Sequence, residues 1–274
     1  MMEDVFASLA PARRRLVLSV LALLCGAILV GTGIAVARTV TGGAASPAPV
    51  ANHQPGPVLL VPGYGGSVTS LQVLARKLIA AGRHAEVVSL PDDGTGDLRS
   101  QAQALASAAK AAAAREHADS VDVVGYSAGG VVARLWAHDY GGNRLARRIV
   151  TLGAPQHGTE LASLGAALSI ACPTACQQLA VSSTLLAGLN AKPETAAGPQ
   201  YVSIWTTKDE IVVPPDSARL DGGLNLTVQS VCASSSVQHS GLPTDPLIQA
   251  MVLTELGSGA PVALTPADCA RLSR

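Results

Sequence analysis

The chain has no excess of charge of either sign, with 19 basic residues against 19 acidic ones. Residues 1–38 hold four Arg and two acids, so the rest of the chain carries 15 basic and 17 acidic residues. No surplus of cations is left to neutralise a phosphate backbone, and this excludes nucleic acid as the expected partner. Aromatic residues are scarce at 3%, whereas 48% of the chain is hydrophobic. The interior must be mainly aliphatic, and 274 residues suffice for one well-cored domain rather than two once an N-terminal segment is set aside. Tandem repeats are absent. No His stands at ligand spacing beside the Cys pairs, which argues against a zinc site, and no metal is expected.

Arg13-Arg14-Arg15 precedes an uncharged apolar run over residues 16–37, and Arg38 closes it. As a helix this run would rise about 33 Å at 1.5 Å per residue, enough for a hydrocarbon core of about 30 Å. The Arg triplet would stay on the cytoplasmic side, which puts residues 39–274 outside. Ala35-Val36-Ala37 also has the small-x-small form of a cleavage site, so a signal peptide is the alternative to a signal anchor over residues 1–38. Either reading exports the rest of the chain, as a membrane-anchored or a secreted protein. Four of the five cysteines, Cys172, Cys176, Cys232 and Cys269, fall in the exported part, where disulfides persist. Three pairings exist; the short Cys172-to-Cys176 spacing favours a local bridge and leaves Cys232 to join Cys269.

Residues 39–56 are rich in Gly, Ala, Ser and Pro without hydrophobic periodicity, as in a flexible linker. From residue 57 to the end, short apolar runs alternate with Ala- and Leu-rich stretches. Residues 58–61, 86–90, 121–124, 148–152, 201–205 and 226–231 read as buried strands, and 67–81, 97–117, 128–138 and 244–256 as helices. Such alternation predicts an α/β domain over 57–274 with a mostly parallel sheet and helices on both faces. Residues 158–198 interrupt the pattern with about forty small and apolar residues, too many for a turn, and are the place for a small cap.

The strand ending at Val124 runs into Gly125-Tyr126-Ser127-Ala128-Gly129-Gly130 and then directly into a helix. A Ser on so sharp a strand-to-helix turn has a strained backbone and needs small neighbours, and the turn pushes its hydroxyl clear of the sheet. Ser127 is therefore the candidate nucleophile. A hydroxyl needs an imidazole, itself oriented by a carboxylate, and in this architecture both follow later in the chain on loops after strands. Asp209 stands after the strand 201–205, with Glu210 and Asp216 as alternatives. His239 follows the last strand; His157 also lies beyond a strand end but precedes Asp209, against the required order. The oxyanion of a tetrahedral intermediate needs two N–H donors. Ala128, after the nucleophile, supplies one, and Tyr64 in the loop Val61-Pro62-Gly63-Tyr64-Gly65-Gly66 is the candidate for the other.

Together these segments resemble the α/β-hydrolase lipases of the lipase B type and their bacterial esterase relatives. The likeness rests on Leu59-Leu60-Val61-Pro62-Gly63-Tyr64-Gly65, on Lys208-Asp209-Glu210-Ile211-Val212-Val213-Pro214, and on Val228-Gln229-Ser230-Val231-Cys232 followed by His239, and spans about 57–270. A bridge from Cys232 to a Cys near the C-terminus is a further similarity. The resemblance implies hydrolysis of an ester or lipid through an acyl-enzyme, without a cofactor. Ala128 and Tyr64 depart from the residues those lipases carry there, so side-chain donors at the oxyanion do not transfer. An exported acyltransferase would use the same triad, a non-catalytic envelope protein would keep only the fold, and a peptidase or amidase could use the same nucleophile.

Overall fold

The structure is a computed structural model that describes residues 54–168 and 172–274. The N-terminal segment 1–38 and nearly all of the linker lie outside the described residues. Within them no helix is long and apolar enough to cross a membrane.

Six strands form one sheet: β1 (Val58–Val61), β2 (Ala85–Val87), β3 (Val121–Tyr126), β4 (Ala146–Leu152), β5 (Gln200–Trp205) and β6 (Leu224–Thr227). Their order is β2-β1-β3-β4-β5-β6. Every pairing is parallel, so the sheet is all-parallel where the sequence predicts a mostly parallel one. Helices flank it: α1 (Thr69–Ala80), α2 (Leu98–Arg115), α3 (Ala128–Asp139), α4 (Glu160–Leu168), α5 (Thr174–Gln178), α6 (Thr184–Asn190), α7 (Val228–Val231), α8 (Pro246–Glu255) and α9 (Cys269–Leu272).

Alternate side chains leave a strand on opposite faces, so β1 and β3 feed two cores. Leu59, Val61 and Val123 meet the Ala-rich face of α2, the buried α3 and residues of α4–α6. Val58, Leu60 and Val124 meet α1 and α8 on the other face. Helix α2 can lie close because Ala102, Ala106, Ala109 and Ala113 recur at helical spacing on its buried side.

The last predicted strand, 226–231, is only half strand. Thr227 ends β6 and turns the chain, its side chain accepting from the Ser230 N–H at 3.0 Å, and residues 228–231 form α7. Val228 and Val231, three apart, are both buried by this turn. The β-branched composition suggests a strand, but the cap at Thr227 overrides it.

At the amino ends of the strands, buried Asp122 accepts from Arg147 at 2.6 Å and from Arg83 at 2.7 Å. Both guanidiniums also reach the Leu256 carbonyl at the end of α8. This network closes the end of the sheet opposite Ser127.

Candidate active site

The chain leaves β1 for β2 on one side and then crosses to β3 on the other, so the carboxyl ends of β1 and β3 form a topological switch point, where ligands bind in open α/β sheets. The loop bearing Tyr64 follows β1, and Ser127 follows β3.

Ser127 has φ 53° and ψ −127°, a backbone conformation unfavourable for a residue with a Cβ. Two bonds hold it there: its N–H donates to the Leu152 carbonyl of β4 at 2.8 Å, and its carbonyl accepts from Gly130 at 2.9 Å. The glycines are steric requirements. A Cβ on Gly125 would come within 2.6 Å of the Gly129 carbonyl oxygen, and one on Gly129 would collide with the Val61 carbonyl. A Cβ on Gly63 would lie 2.9 Å from that of Ser127, so only glycine lets the loop after β1 pass directly over the serine. Among the described residues, neither the Tyr64 nor the Ala128 backbone N–H is engaged in a loop or cap hydrogen bond.

Ser127, Asp209 and His239 come together although 82 and 30 residues separate them in turn. The His239 Nε2 lies 3.0 Å from the Ser127 Oγ, and its Nδ1 lies 2.7 Å from the Asp209 Oδ2. Asp209 is held by its other oxygen, which accepts from the N–H groups of Ile211 at 3.0 Å and Val212 at 2.8 Å. A carboxylate can only accept from Nδ1–H, so Nε2 is left with a lone pair facing the hydroxyl. The arrangement can remove a proton from Ser127.

The alternatives go elsewhere. The Glu210 carboxylate accepts from the His239 backbone N–H at 3.2 Å, and Asp216 accepts from the Trp205 indole at 3.4 Å. His157 spends both ring nitrogens away from Ser127, on the Ser217 carbonyl at 3.1 Å and the Glu194 carboxylate at 2.6 Å. Thr206 and Gln229 are not singled out by the sequence, yet they tie the histidine loop down. The Thr206 hydroxyl donates to the Val237 carbonyl at 2.7 Å, and the Gln229 amide donates to the Ser235 carbonyl at 3.2 Å. Thr206 directly follows β5, and that adjacency to Asp209 is the one available signal.

Residues 158–198 contain α4–α6 and cover one side of Ser127. Buried Arg134, on α3, donates to the Glu194 carbonyl at 2.9 Å and to the Asn190 side chain at 3.0 Å, joining this segment to the helix that follows Ser127. Burial lowers the Arg134 guanidinium to about 10. Cys172 pairs with Cys176 and Cys232 with Cys269, the pairings expected from spacing. Disulfides persist in oxidising compartments, so the two bridges point to an extracellular protein. Among the described residues no group of His, Cys, Asp and Glu is arranged to hold a metal ion.

Burial raises the Glu194 carboxyl, but the Asp221 N–H and the His157 side chain outweigh it and hold the group below its ordinary 4.5. A depressed carboxyl pKa stabilises the fold above the unfolded value and loses that contribution as pH falls through the folded value. Glu194→Gln should therefore melt below the parent near neutral pH, with a gap that closes as pH is lowered past 4.5, as thermal unfolding across a pH series would show.

Beside Ser127 opens a cavity of about 200 Å³, walled by Tyr64, Leu161, Ala162, Leu179, Ile211 and Val212. A larger cleft of about 460 Å³ lies at Arg83, His84 and Arg115, but His84 and Arg115 are already paired with Glu116 and Glu86 at 2.8 Å. Of the two, the smaller is the one that Ser127 lines.

The six-stranded parallel sheet with its flanking helices has the α/β-hydrolase fold, as its likeness to solved structures shows. Aspergillus fumigatus lipase B is 22% identical with a TM-score of 0.70; the match covers 82% of this chain and 57% of the lipase, so the chain spans little more than half its length. The mature form of Bacillus licheniformis lipase BlEst2 is 18% identical (TM-score 0.55; 65% of this chain, 84% of that one). The ydeN gene product of B. subtilis is 15% identical (TM-score 0.53; 74% and 100%). The fold is thus the one that these lipases share. The sequence model of the palmitoyl protein thioesterase family matches residues 57–197, and the chain belongs to that family. The match ends before Asp209 and His239. No curated protein matches the sequence.

Proposed function

We propose that the protein hydrolyses carboxylic esters with apolar acyl groups through an acyl-enzyme on Ser127. The observation that carries this reading is the continuous chain of hydrogen bonds from Ser127 through His239 to Asp209. His239 takes the Ser127 proton as Oγ attacks the ester carbonyl, and Asp209 holds and stabilises the imidazolium. The backbone N–H groups of Tyr64 and Ala128 receive the oxyanion. His239 then protonates the leaving alcohol, and water, activated by the same imidazole, releases the acid. No cofactor enters this scheme.

The acyl group would occupy the apolar cavity, with residues 158–198 as a cap. Leu161, Leu164 and Leu168 line up along α4, and with Tyr64 and Ile211 at the cavity mouth they are 43–56% exposed. Exposed apolar side chains of this kind beside the cavity suit a lipid or aggregated ester better than a soluble one. Leu164→Ser with Leu168→Ser, neither in the cavity wall, should slow hydrolysis of an emulsified long-chain ester by about thirtyfold, since each exposed Leu forfeits roughly 1 kcal/mol of burial. Hydrolysis of dissolved p-nitrophenyl acetate should stay within about twofold of the parent, and an equal loss on both substrates would remove these side chains from the account.

Residues 16–37 are proposed to export this domain, as a retained anchor or a cleaved signal, with 39–56 as linker. Membership in a family named for a palmitoyl protein thioesterase favours one second reading, an acyl thioester in place of the oxygen ester. The same residues serve both. Comparing kcat/KM for matched oxygen and thiol esters decides between them, while competition between water and an added alcohol detects acyl transfer.

A further inference from the structure

His239 stands twelve residues beyond the end of β6, after a stretch that includes Ser234, Ser235 and Ser236, and no strand pairing fixes its backbone. Its imidazole must nevertheless meet two partners at once. The backbone of His239 is held on both sides, and each holder is a chain neighbour of another member of the triad. Glu210, adjacent to Asp209, accepts from the His239 N–H at 3.2 Å. Tyr126, adjacent to Ser127, donates its hydroxyl to the His239 carbonyl at 3.3 Å. The Tyr126 ring also packs against the imidazole, with centroids 5.2 Å apart and planes inclined by 32°.

We propose that Tyr126 and Glu210 are positioning residues that clamp the general base, locking the His239 backbone to the elements that carry Ser127 and Asp209. The inference rests on the reading of His239 as base, and it gives a use to the second residue of Gly125-Tyr126-Ser127-Ala128-Gly129 and to the carboxylate next to the acid. Displacement of Ser127 or Asp209 is thereby transmitted to His239, so the three move as one unit. The local turn cannot do this alone: the Leu242 N–H also reaches the His239 carbonyl at 3.2 Å, but Leu242 belongs to the same loop and anchors it to neither partner. Burial, followed by the nearby Asp209 and Glu210 charges, pushes the Tyr126 phenol up to about 12, which keeps it a donor throughout the neutral range.

Tyr126→Phe removes one oxygen and keeps the ring; Glu210→Ala removes the acceptor; Glu210→Gln restores an acceptor without the charge. With a soluble p-nitrophenyl ester, Tyr126→Phe and Glu210→Ala should each lower kcat by about tenfold, the worth of one hydrogen bond, with KM within about twofold of the parent. Glu210→Gln should recover most of the loss. The downfield proton resonance of the His239 Nδ1–H, which reads its bond to Asp209 independently of turnover, should broaden or move upfield in the two deficient variants. Parental kcat and an unmoved resonance in either variant overturn the role of that residue. A change in KM alone, or a Glu210→Gln variant as slow as Glu210→Ala, also contradicts the clamp. Since Tyr126→Phe is the milder change, it carries the test even if Glu210→Ala does not fold. An inactive parent, or an active Ser127→Ala, overturns the triad and the clamp together; an active parent with an inactive Ser127→Ala and unaffected clamp variants overturns the clamp alone.

Discussion

Ser127→Ala is expected to lower kcat for ester hydrolysis by on the order of a million-fold, with KM little changed, because the methyl group has no lone pair to attack with. The fold should survive. The hydroxyl bonds to His239 and to no other described side chain, and the strained turn is held by the Leu152 and Gly130 backbone bonds, which alanine retains. Residual catalysis by the Tyr64 and Ala128 donors would leave a rate about 10³–10⁴ above water. Steady-state hydrolysis of p-nitrophenyl butyrate with thermal unfolding as control reads both quantities. A variant within a factor of about ten of the parent would remove Ser127 from the mechanism.

Asp209→Asn should cost about 10⁴ in kcat by a different route. The oxygen that accepts from Ile211 and Val212 has two backbone donors to satisfy, so the amide keeps its oxygen on that side. Its NH₂ then faces the His239 Nδ1 and can only donate. The imidazole is driven into the other tautomer, with the proton on Nε2 pointing at Ser127, and cannot accept the hydroxyl proton. Backbone contacts are unchanged, so stability should fall far less than activity. If Asp209→Asn keeps more than about a tenth of the parental kcat, the carboxylate is not what orients the base.

Much of the architecture is legible in the sequence because buried parallel strands leave a strong mark. Val58-Leu59-Leu60-Val61 is apolar at every position because both faces of β1 are covered, and the Ala spacing of α2 follows from how closely it packs. The turn at Ser127 is legible for a steric reason, since Gly125 and Gly129 sit where a Cβ cannot. The order of Ser127, Asp209 and His239, each after a strand, can be read in the same way, and their separations of 3.0 and 2.7 Å cannot.

The remainder is set by long-range contact. Among the described residues of 158–198 are three short helices, tied in place by Arg134 on Asn190, by Gln178 on Asp97 and by the Cys172–Cys176 bridge, contacts that the local sequence does not encode. Val228-Gln229-Ser230-Val231 has strand composition and is helical because Thr227 caps it. Glu210 reads as a spare carboxylate; its partner is a backbone N–H 29 residues away, which no local pattern encodes.

The most direct test of the central claim is covalent. The folded parent protein treated with a fluorophosphonate should gain a single adduct, located by peptide mass spectrometry on Ser127, and His239→Ala should abolish it because the hydroxyl then has no base. An unlabelled parent, or an adduct on any other residue with Ser127 unmodified, would contradict the account.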